Sequence, residues 1–306
     1  MYKVKQLILS VVMIVVVLLV LTGCGASPNS DSSTISPTST LSGSIKVIGS
    51  NTVTPLSSIW AEGFMKKNQK VSIAVSGPGS GAGIAALIDG TTDICQSSRL
   101  ITASEITTAK AKGVNPFEIQ VATDALSVVV NPANPVSELT IAQLSAIYTN
   151  KITNWKEVGG KDASIVVISR DTNSGTHVFF KEHVVQMAGL ATADKTLEYG
   201  SKVLMLPSTE AGVSEVARNA NAIFYSGLGY VTNAVKPLGI KKTAGDNPVK
   251  PSVETALNGT YPVSRPLLFY TNGTPAGVIK TFIDYCLSPE GQKEVTNVGY
   301  VPLAQK

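Results

Sequence analysis

The sequence predicts an α/β fold of two lobes, each a mostly parallel sheet flanked by helices, with a ligand cleft between the lobes. One observation behind this prediction is that short β-branched runs alternate with helix-like stretches after residue 43. Another is that two such series follow one another, the second opening on the strongly apolar run ALSVVV at 125–130. Ligands of such folds bind at the carboxyl ends of strands, which is where we expect a site.

The first series alternates strand and helix candidates. The strands are SIKVIGS (44–50), VSIAVSG (71–77) and TDICQSS (92–98), and the helices are 55–67, 80–90 and 102–113. Pro55 suits the first turn of the first helix, with Thr54 as its N-cap. Thr102 and Glu105 form a capping box at the start of the third helix, and Gly113 ends it.

The second series follows the apolar run at 125–130 and a Pro-broken turn. It contains helices at 140–150, from about 174 and at 209–220, strands at 164–169, 222–226 and 265–271, and one amphipathic helix at 275–300. We assign residues 44–124 and 266–306 to lobe I and residues 125–265 to lobe II. No tandem repeat of fixed period is present.

The composition is that of a globular chain without a nucleic-acid-binding surface. Of its 306 residues, 43% are hydrophobic and 6% aromatic, which supports a sizeable core. The formal net charge is +4, and no run of Lys and Arg is longer than a pair. Because no basic stripe is interleaved with aromatic residues, nucleic acid is not an expected partner.

The N-terminus predicts export and a lipid anchor. Lys3 and Lys5 precede an apolar run at 7–21 that is shorter than the roughly 20 residues needed to span a bilayer. The run ends in the letters LTGC, which resemble the bacterial lipobox. We therefore interpret residues 1–23 as a signal peptide that is cleaved before Cys24, whose thiol carries lipid such as palmitate. An uncleaved anchor helix with a chance cysteine is the alternative.

Residues 24–43 predict a flexible linker between the lipid and the folded body. They are mostly Ser, Thr and Pro, and they offer almost nothing to bury. The body is therefore expected at the extracytoplasmic face of the cell membrane, held there by the lipid on Cys24.

The two cysteines of the body lie in apolar surroundings. Cys95 and Cys286 are nearly 200 residues apart. Buried free thiols are the commoner outcome for such residues, and a disulfide is the alternative, because sequence alone cannot supply the geometry that a disulfide needs.

Three segments share a strand, a turn rich in Gly, Ser or Thr, and a helix start. They are VIGSNTVTP (47–55), VSGPGSGAG (75–83) and ISRDTNSGT (168–176). The first turn of a helix offers unpaired N–H groups and a partial positive charge, so each segment is a candidate anion cradle. Simple capping by the Ser and Thr hydroxyls is the alternative for any one segment.

Two arginines stand where a strand meets the predicted cleft. Arg170 follows an apolar strand, and Arg99 follows DICQSS in the same situation. A guanidinium at such a position can bind a tetrahedral oxyanion through two hydrogen bonds. Surface arginines with ordinary carboxylate partners are the alternative.

No enzyme template fits the glycine-rich turns, and we expect neither enzymatic activity nor a cofactor. The segment GPGSGAGIAAL at 77–87 has no lysine and is not a P-loop, and Arg99 stands near the position where a dinucleotide site needs an acid. Neither Ser80 nor Ser174 lies in G-x-S-x-G, so a nucleophile elbow is absent.

The histidines do not predict a metal site. His177 and His183 are six residues apart, and no Cys or carboxylate pattern completes a site around them. His177, near a helix start, is expected to be partly exposed and without a chemical role.

A series of motifs gives the sequence its resemblance to a known family. They are GSNTVTPL, SGPGSGAGI, TDICQSSR, ISRDTNSGT, LTIAQLSAIYTNKITNWKEVGG (139–160), AIFYSGLGYV (222–231) and SPEGQKEVTNVGYVPL (288–303). Together they cover nearly all of the chain after the linker, and they resemble the periplasmic or lipid-anchored phosphate-binding proteins of phosphate ABC transporters. The resemblance implies a two-lobed type II periplasmic-binding-protein fold that delivers inorganic phosphate to a membrane permease.

The resemblance also implies a set of phosphate ligands. These are Thr52 with the backbone of Val53, Ser80, and Arg170 with Ser174, Gly175 and Thr176. Where the best-known branch has a carboxylate that accepts the proton of monohydrogen phosphate, this sequence has Ser98 followed by Arg99. We expect Ser98 to be among the phosphate ligands, Arg99 to add charge, and Asp124, near the crossing between lobes, to be the substitute acceptor. A capping or hinge aspartate is the alternative for Asp124.

The leading hypothesis is thus a monomeric, lipid-anchored phosphate receptor that serves an ABC permease. Another tetrahedral oxyanion, such as sulfate, molybdate or tungstate, is the rival ligand. An acceptor for a proton would favour phosphate, because fully ionised sulfate has no proton to donate. A secreted phosphoesterase is the rival activity, and the lack of an activated nucleophile or paired-carboxylate metal site argues against it.

Overall fold

Strands and helices alternate along residues 41–303, which are the residues that the computed structural model describes. The strands are β1 (Gly43–Gly49), β2 (Val71–Ser76), β3 (Ile94–Ser97), β4 (Pro116–Ala125), β5 (Ser127–Val130), β6 (Glu138–Thr140), β7 (Val166–Arg170), β8 (Leu204–Leu206), β9 (Ala222–Ser226), β10 (Lys236–Pro237), β11 (Gly239–Lys241) and β12 (Ser264–Asn272). The α-helices are α1 (Thr54–Lys67), α2 (Ser80–Ile88), α3 (Ala103–Ala111), α4 (Ile141–Tyr148), α5 (Gly175–Phe180), α6 (Thr209–Arg218), α7 (Val253–Leu257), α8 (Gly277–Leu287) and α9 (Pro289–Asn297). The predicted signal peptide, Cys24 and the linker up to residue 40 lie outside the described residues.

The strands form two five-stranded sheets and one small sheet. The first has the order β2-β1-β3-β12-β4, the second the order β10-β5-β9-β7-β8, and β11 pairs with β6. In the first sheet β1 is parallel to β2 and β3, whereas β12 is antiparallel to β3 and β4. In the second, β7 is parallel to β8 and β9, whereas β5 is antiparallel to β9 and β10. Each sheet is therefore mixed and not mostly parallel. In the first sheet β12, which comes from the end of the chain, runs opposite to its neighbours β3 and β4, and in the second sheet β5 runs opposite to its neighbours β9 and β10.

The chain passes between the two large sheets at β4 and β12. β4 ends at Ala125 and β5 begins two residues later in the other sheet. β12 pairs beside it in a register that sets Arg265 opposite Asp124 and Ser264 opposite Ala125. Two charged residues thus meet at the crossing between the sheets.

The predicted helix starts are confirmed in some places and wrong in others. The capping box of Thr102 and Glu105 is present at α3. Helix α1, however, is preceded by Val53 at the N-cap position, and Thr54 is its first residue. The Thr54 hydroxyl donates instead to the carbonyl of Ser50 at 2.9 Å, as a side chain inside the first turn does.

The single amphipathic helix predicted at 275–300 is two helices, α8 and α9. Ser288 separates them in an extended conformation, and its side chain accepts from the N–H of Gly291. Pro289 follows and cannot continue α8, because it has no N–H to donate and its ring occupies the space of the preceding turn. Pro289 therefore begins the new helix.

The described cysteines are free thiols buried in separate parts of the core. Cys286 packs with Trp60 and Phe282, and Cys95 packs with Ile84 and other apolar residues under α2. Burial raises the pKa of the Cys95 thiol to about 12, so it stays protonated. Of the two alternatives the free thiol is confirmed. Among residues 41–303, no helix has the length and apolar character that crossing a bilayer would require.

Candidate anion site

The three predicted turns converge at the interface between the two large sheets. The Thr52 hydroxyl, which precedes α1, lies 3.0 Å from the hydroxyl of Thr176 in α5. The Ser80 hydroxyl at the start of α2 lies 3.4 Å from that of Ser98 after β3. A β-carbon placed on Gly175 would lie 2.3 Å from the hydroxyl oxygen of Ser80 and 2.8 Å from that of Ser98. Only glycine therefore fits at position 175, and the five residues form one buried polar group.

A further hydroxyl, which sequence reasoning missed, completes this group. Ser50 donates to Ser98 at 3.0 Å and is 2% exposed. We call Ser50, Thr52, Ser80, Ser98 and Thr176 the hydroxyl cluster. Ser50 belongs to the first glycine-containing turn, so its position in the motif GSNTVTPL was an available signal.

The hydroxyl cluster lies at the amino ends of helices. Thr52 lies two residues before α1, next to its N-cap residue Val53, and Ser80 is the first residue of α2. Ser174 caps α5, where its hydroxyl accepts from the N–H groups of Thr176 and His177. The partial positive charge of these helix ends favours an anion at the cluster.

Arg170, the last residue of β7, is a buried cation whose partners are neutral. Its side chain is 1% exposed. It donates to the Thr209 hydroxyl at 2.7 Å, to Asn51 Oδ1 at 3.3 Å, and to the carbonyls of Pro207 at 2.8 Å and Leu206 at 3.3 Å.

Within residues 41–303, no carboxylate lies within ion-pair distance of Arg170, whereas Arg99, Arg218 and Arg265 each have one. Burial lowers the pKa of Arg170 from its ordinary value, as expected for a cation removed from water. A buried charge without a counter-charge is costly, and an anion at the cluster would supply one.

A buried polar network forms hydrogen bonds with the backbone of Arg170. His177 Nδ1 donates to the Arg170 carbonyl at 2.9 Å, and the Arg170 N–H donates to the Tyr225 hydroxyl at 3.3 Å. The Tyr199 hydroxyl donates to the carbonyl of His177 at 3.0 Å. His177 is buried, not partly exposed as predicted, because its ring packs between this network and Tyr199.

Arg99 occupies a similar place in the sequence but has a different environment. Its guanidinium forms a bidentate ion pair with Glu105, in which Nη2 lies 2.7 Å from Oε1 and Nη1 lies 2.8 Å from Oε2. Burial raises the pKa of the Glu105 carboxyl, but the hydrogen bonds from Arg99 and Thr102 and the charge of Arg99 together outweigh burial and leave that pKa below its ordinary value. The structure does not bring the Arg99 guanidinium into the hydroxyl cluster. The alternative of an ordinary carboxylate partner describes this residue.

Asp124 lies beside the cluster and is fully buried. Its Oδ2 accepts from Arg265 Nη2 at 2.9 Å and Nε at 3.1 Å, and its Oδ1 accepts from the N–H of Leu228 at 2.9 Å. The predicted proton acceptor thus already holds three donors. Sequence reasoning missed Arg265, whose only signal was a charge at the start of the apolar strand RPLLFYT.

The two sides of the site are in direct contact around the cluster. The Gly81 N–H donates to the carbonyl of Asn173 at 3.0 Å. The Thr209 N–H donates to Asn51 Oδ1 at 3.0 Å, and the Tyr230 hydroxyl donates to the Asn51 carbonyl at 2.9 Å. These bonds join the side of the first sheet to that of the second, so the structure is closed over the cluster.

The described site has hydroxyl groups without a base. Hydroxyls of the cluster pair with one another and with backbone groups, and none of their contacts within the described chain is to an imidazole or carboxylate. In the same part of the chain no three His, Cys, Asp or Glu side chains are grouped to hold a metal. The arrangement supplies donors and one uncompensated positive charge, which suits the holding of an anion.

Comparisons with known proteins agree on one superfamily. The model of the PBP superfamily domain matches residues 34–290. Protein SphX of Synechococcus elongatus is 33% identical over an alignment of 270 residues that covers 84% of this chain and 77% of SphX. The phosphate-binding protein PstS of Bacillus subtilis is 32% identical over 281 residues, which are 91% of this chain and 87% of PstS.

A solved structure gives the same answer. It is a phosphate ABC transporter substrate-binding protein from Clostridium perfringens with bound phosphate. It is 35% identical to this chain with a TM-score of 0.74, and the match covers 86% of this chain and 100% of that one. The predicted fold class, two sheets flanked by helices in this type of binding protein, is therefore confirmed.

Proposed function

We propose that this chain, which belongs to the PBP superfamily and to the family of PstS phosphate-binding proteins, captures inorganic phosphate and delivers it to an ABC permease. The observation that carries the proposal is Arg170, a buried guanidinium without a carboxylate partner among the described residues, at the interface where the three turns converge. A phosphate ion would supply the missing negative charge.

The ligand set of this proposal combines one charge with directed donors. It consists of Arg170, the hydroxyls of Thr52, Ser80, Ser98, Ser174 and Thr176, and the backbone N–H groups of Val53 and Gly175. Micromolar affinity requires about 8 kcal/mol, and charge-assisted hydrogen bonds contribute about 1.5 to 3 kcal/mol each. Several such bonds are sufficient without covalent chemistry. Arg99 is left out of the set because Glu105 already neutralises it.

The proposal includes a place in the cell. Residues 1–23 act as a signal peptide, Cys24 carries the lipid, and residues 24–43 link it to the body on the extracytoplasmic face of the membrane. The body works as a monomer, and closure of its two lobes, residues 44–124 with 266–306 and residues 125–265, buries the ion and forms the surface that the permease recognises.

Equilibrium binding of labelled phosphate to the full-length chain in detergent tests this proposal. We expect saturable binding at micromolar phosphate or below, with one ion per chain. Competition by unlabelled sulfate, molybdate and tungstate is measured in the same assay. An absence of binding at micromolar phosphate would sink the proposal, and stronger competition by sulfate than by phosphate would replace the ligand.

One observation favours sulfate as the alternative ligand. The Asp124 carboxylate, the predicted acceptor for the proton of phosphate, already accepts from Arg265 and from the N–H of Leu228. With its charge compensated in this way, Asp124 repels a fully ionised dianion less than a free carboxylate does.

A further inference from the structure

Two buried guanidiniums lie next to the hydroxyl cluster, where Arg170 contacts Asn51 and Arg265 contacts Ser98, and only one of them has a carboxylate partner. Arg170 has neutral partners, as described above. Arg265, 2% exposed, is paired with Asp124 through two hydrogen bonds to one carboxylate oxygen. The side chains of Asp124 and Arg265 are both 0% exposed, which makes this pair the most completely buried ion pair of the described residues.

The Asp124–Arg265 pair contacts the cluster on one side and comes close to it on the other. On one edge, Arg265 Nη1 donates to the carbonyl of Ser98 at 3.2 Å. On the other, a β-carbon placed on Gly227 would lie 3.1 Å from Asp124 Oδ2 and 3.0 Å from Cγ2 of Thr52. Only a glycine therefore separates the carboxylate from the Thr52 side chain. At such short range, and away from water, the charges of Asp124 and Arg265 would act strongly on an anion bound at the cluster.

We propose that the Asp124–Arg265 pair determines the charge of the anion that the cleft accepts. The proposal rests on the proposed function and specifies its selectivity. Asp124 cancels the charge of Arg265, so that the site presents the single net positive charge of Arg170. Without Asp124 the site carries a second positive charge, and that charge attracts a dianion about twice as strongly as a monoanion.

A different role for Asp124 makes a different prediction. If Asp124 accepts a proton from the ligand, its replacement harms phosphate recognition whether or not Arg265 is charged. If Asp124 balances charge, removal of both charges together restores the original selectivity. A double variant therefore separates the two roles, in the manner of a double-mutant cycle.

The experiment measures dissociation constants of phosphate and sulfate at one mildly acidic pH, where dissolved phosphate is mainly the monoanion and sulfate the dianion. The chains are the full-length wild type and the variants Asp124→Asn, Asp124→Asn with Arg265→Met, and Arg265→Lys. For Asp124→Asn we expect sulfate to gain about tenfold relative to phosphate. The double variant and Arg265→Lys are expected to stay within about threefold of the wild-type ratio.

Glu105→Gln is the matched control. It also leaves an arginine without its carboxylate, but that arginine does not reach the cluster, so the ratio is expected to change less than about threefold. Thermal unfolding shows whether each variant is folded. If Asp124→Asn does not fold, a changed ratio in the double variant or in Arg265→Lys still overturns the proposal.

The outcomes distinguish this proposal from the proposed function. A wild type that binds no phosphate contradicts the function itself. A wild type that binds phosphate contradicts only the charge-balancing role if Asp124→Asn leaves the ratio unchanged, or if the single and double variants shift it equally.

Discussion

The turns that follow β3 and β7 look alike in sequence and differ in charge. Each places an arginine after an apolar strand and before a helix, yet Arg99 is neutralised by Glu105 while Arg170 faces neutral oxygens. The cause is the helix that follows each arginine. α3 begins with a capping box whose Glu105 reaches back to Arg99, whereas α5 begins with a capping serine that carries no charge. Of these two turns, only the one that ends β7 therefore leaves its arginine without a carboxylate partner among the described residues.

Removal of the uncompensated arginine should have the largest effect. Arg170→Met is expected to weaken phosphate binding about 100-fold or more, since charge-assisted hydrogen bonds contribute about 1.5 to 3 kcal/mol each. Equilibrium binding of labelled phosphate measures the change. Arg218→Met is the control, because Arg218 is exposed and paired with Glu215. Equal affinities for the two variants would refute the assignment.

A carboxylate placed beside Arg170 should make its turn resemble that of Arg99. Thr209→Asp puts an acid where a hydroxyl now accepts from Arg170 Nη1 at 2.7 Å. We expect phosphate affinity to fall about tenfold or more, because the guanidinium is then neutralised and the new charge repels the ligand. Thr209→Asn, of the same shape without charge, should lose less. If both variants lose equally, geometry and not charge governs the site.

The close packing at Gly175 should be nearly as sensitive. In Gly175→Ala the new methyl group would meet the hydroxyls of Ser80 and Ser98 and force the two sides of the site apart. Phosphate affinity is expected to fall about tenfold, measured as above. Gly245→Ala is the control, since a β-carbon there meets nothing within 4 Å. Unchanged affinity in Gly175→Ala would mean that the site closes less tightly than described.

The network behind Arg170 should give the smallest effect, a dependence of stability on pH. Burial lowers the pKa of His177 below its ordinary value of 6.5. In the unfolded chain His177 has its ordinary pKa and binds a proton more readily than in the folded chain. The stability that neutral His177 contributes is therefore complete at pH values above that ordinary pKa, and it is lost as the pH falls through the lowered pKa of the folded chain. Thermal unfolding of wild type and His177→Asn between neutral and mildly acidic pH checks this. The variant should lose less stability on acidification, and parallel curves would contradict it.

Local patterns in the sequence predicted the parts of the site that belong to single turns. Thr52, Ser80 and the stretch from Arg170 to Thr176 were selected because a strand, a turn and a helix start are readable from spacing alone. The capping box at Glu105 was predicted for the same reason. The ion pair between Glu105 and Arg99 was not predicted, because the spacing of the two residues along the chain does not show that their side chains meet.

The partners across the crossing could not be predicted in this way. Arg265 and Asp124 are 141 residues apart, and only the antiparallel register of β12 and β4 brings them together. The same antiparallel pairing contributes to the mixed character of the first sheet. Asn51 and Thr209, which bind Arg170 from two different segments, are further contacts of this kind. Periodicity reveals which face of an element is buried, but it does not reveal which distant side chain meets it.

A crystal structure of the chain grown with phosphate tests the central claim most directly. We predict one phosphate ion at the hydroxyl cluster, with an oxygen within hydrogen-bond distance of the Arg170 guanidinium and others accepting from Thr52, Ser80 and Thr176. The Arg99–Glu105 pair should be intact and should not touch the ion. A phosphate bound by Arg99, with Arg170 still surrounded only by neutral oxygens, would contradict the account.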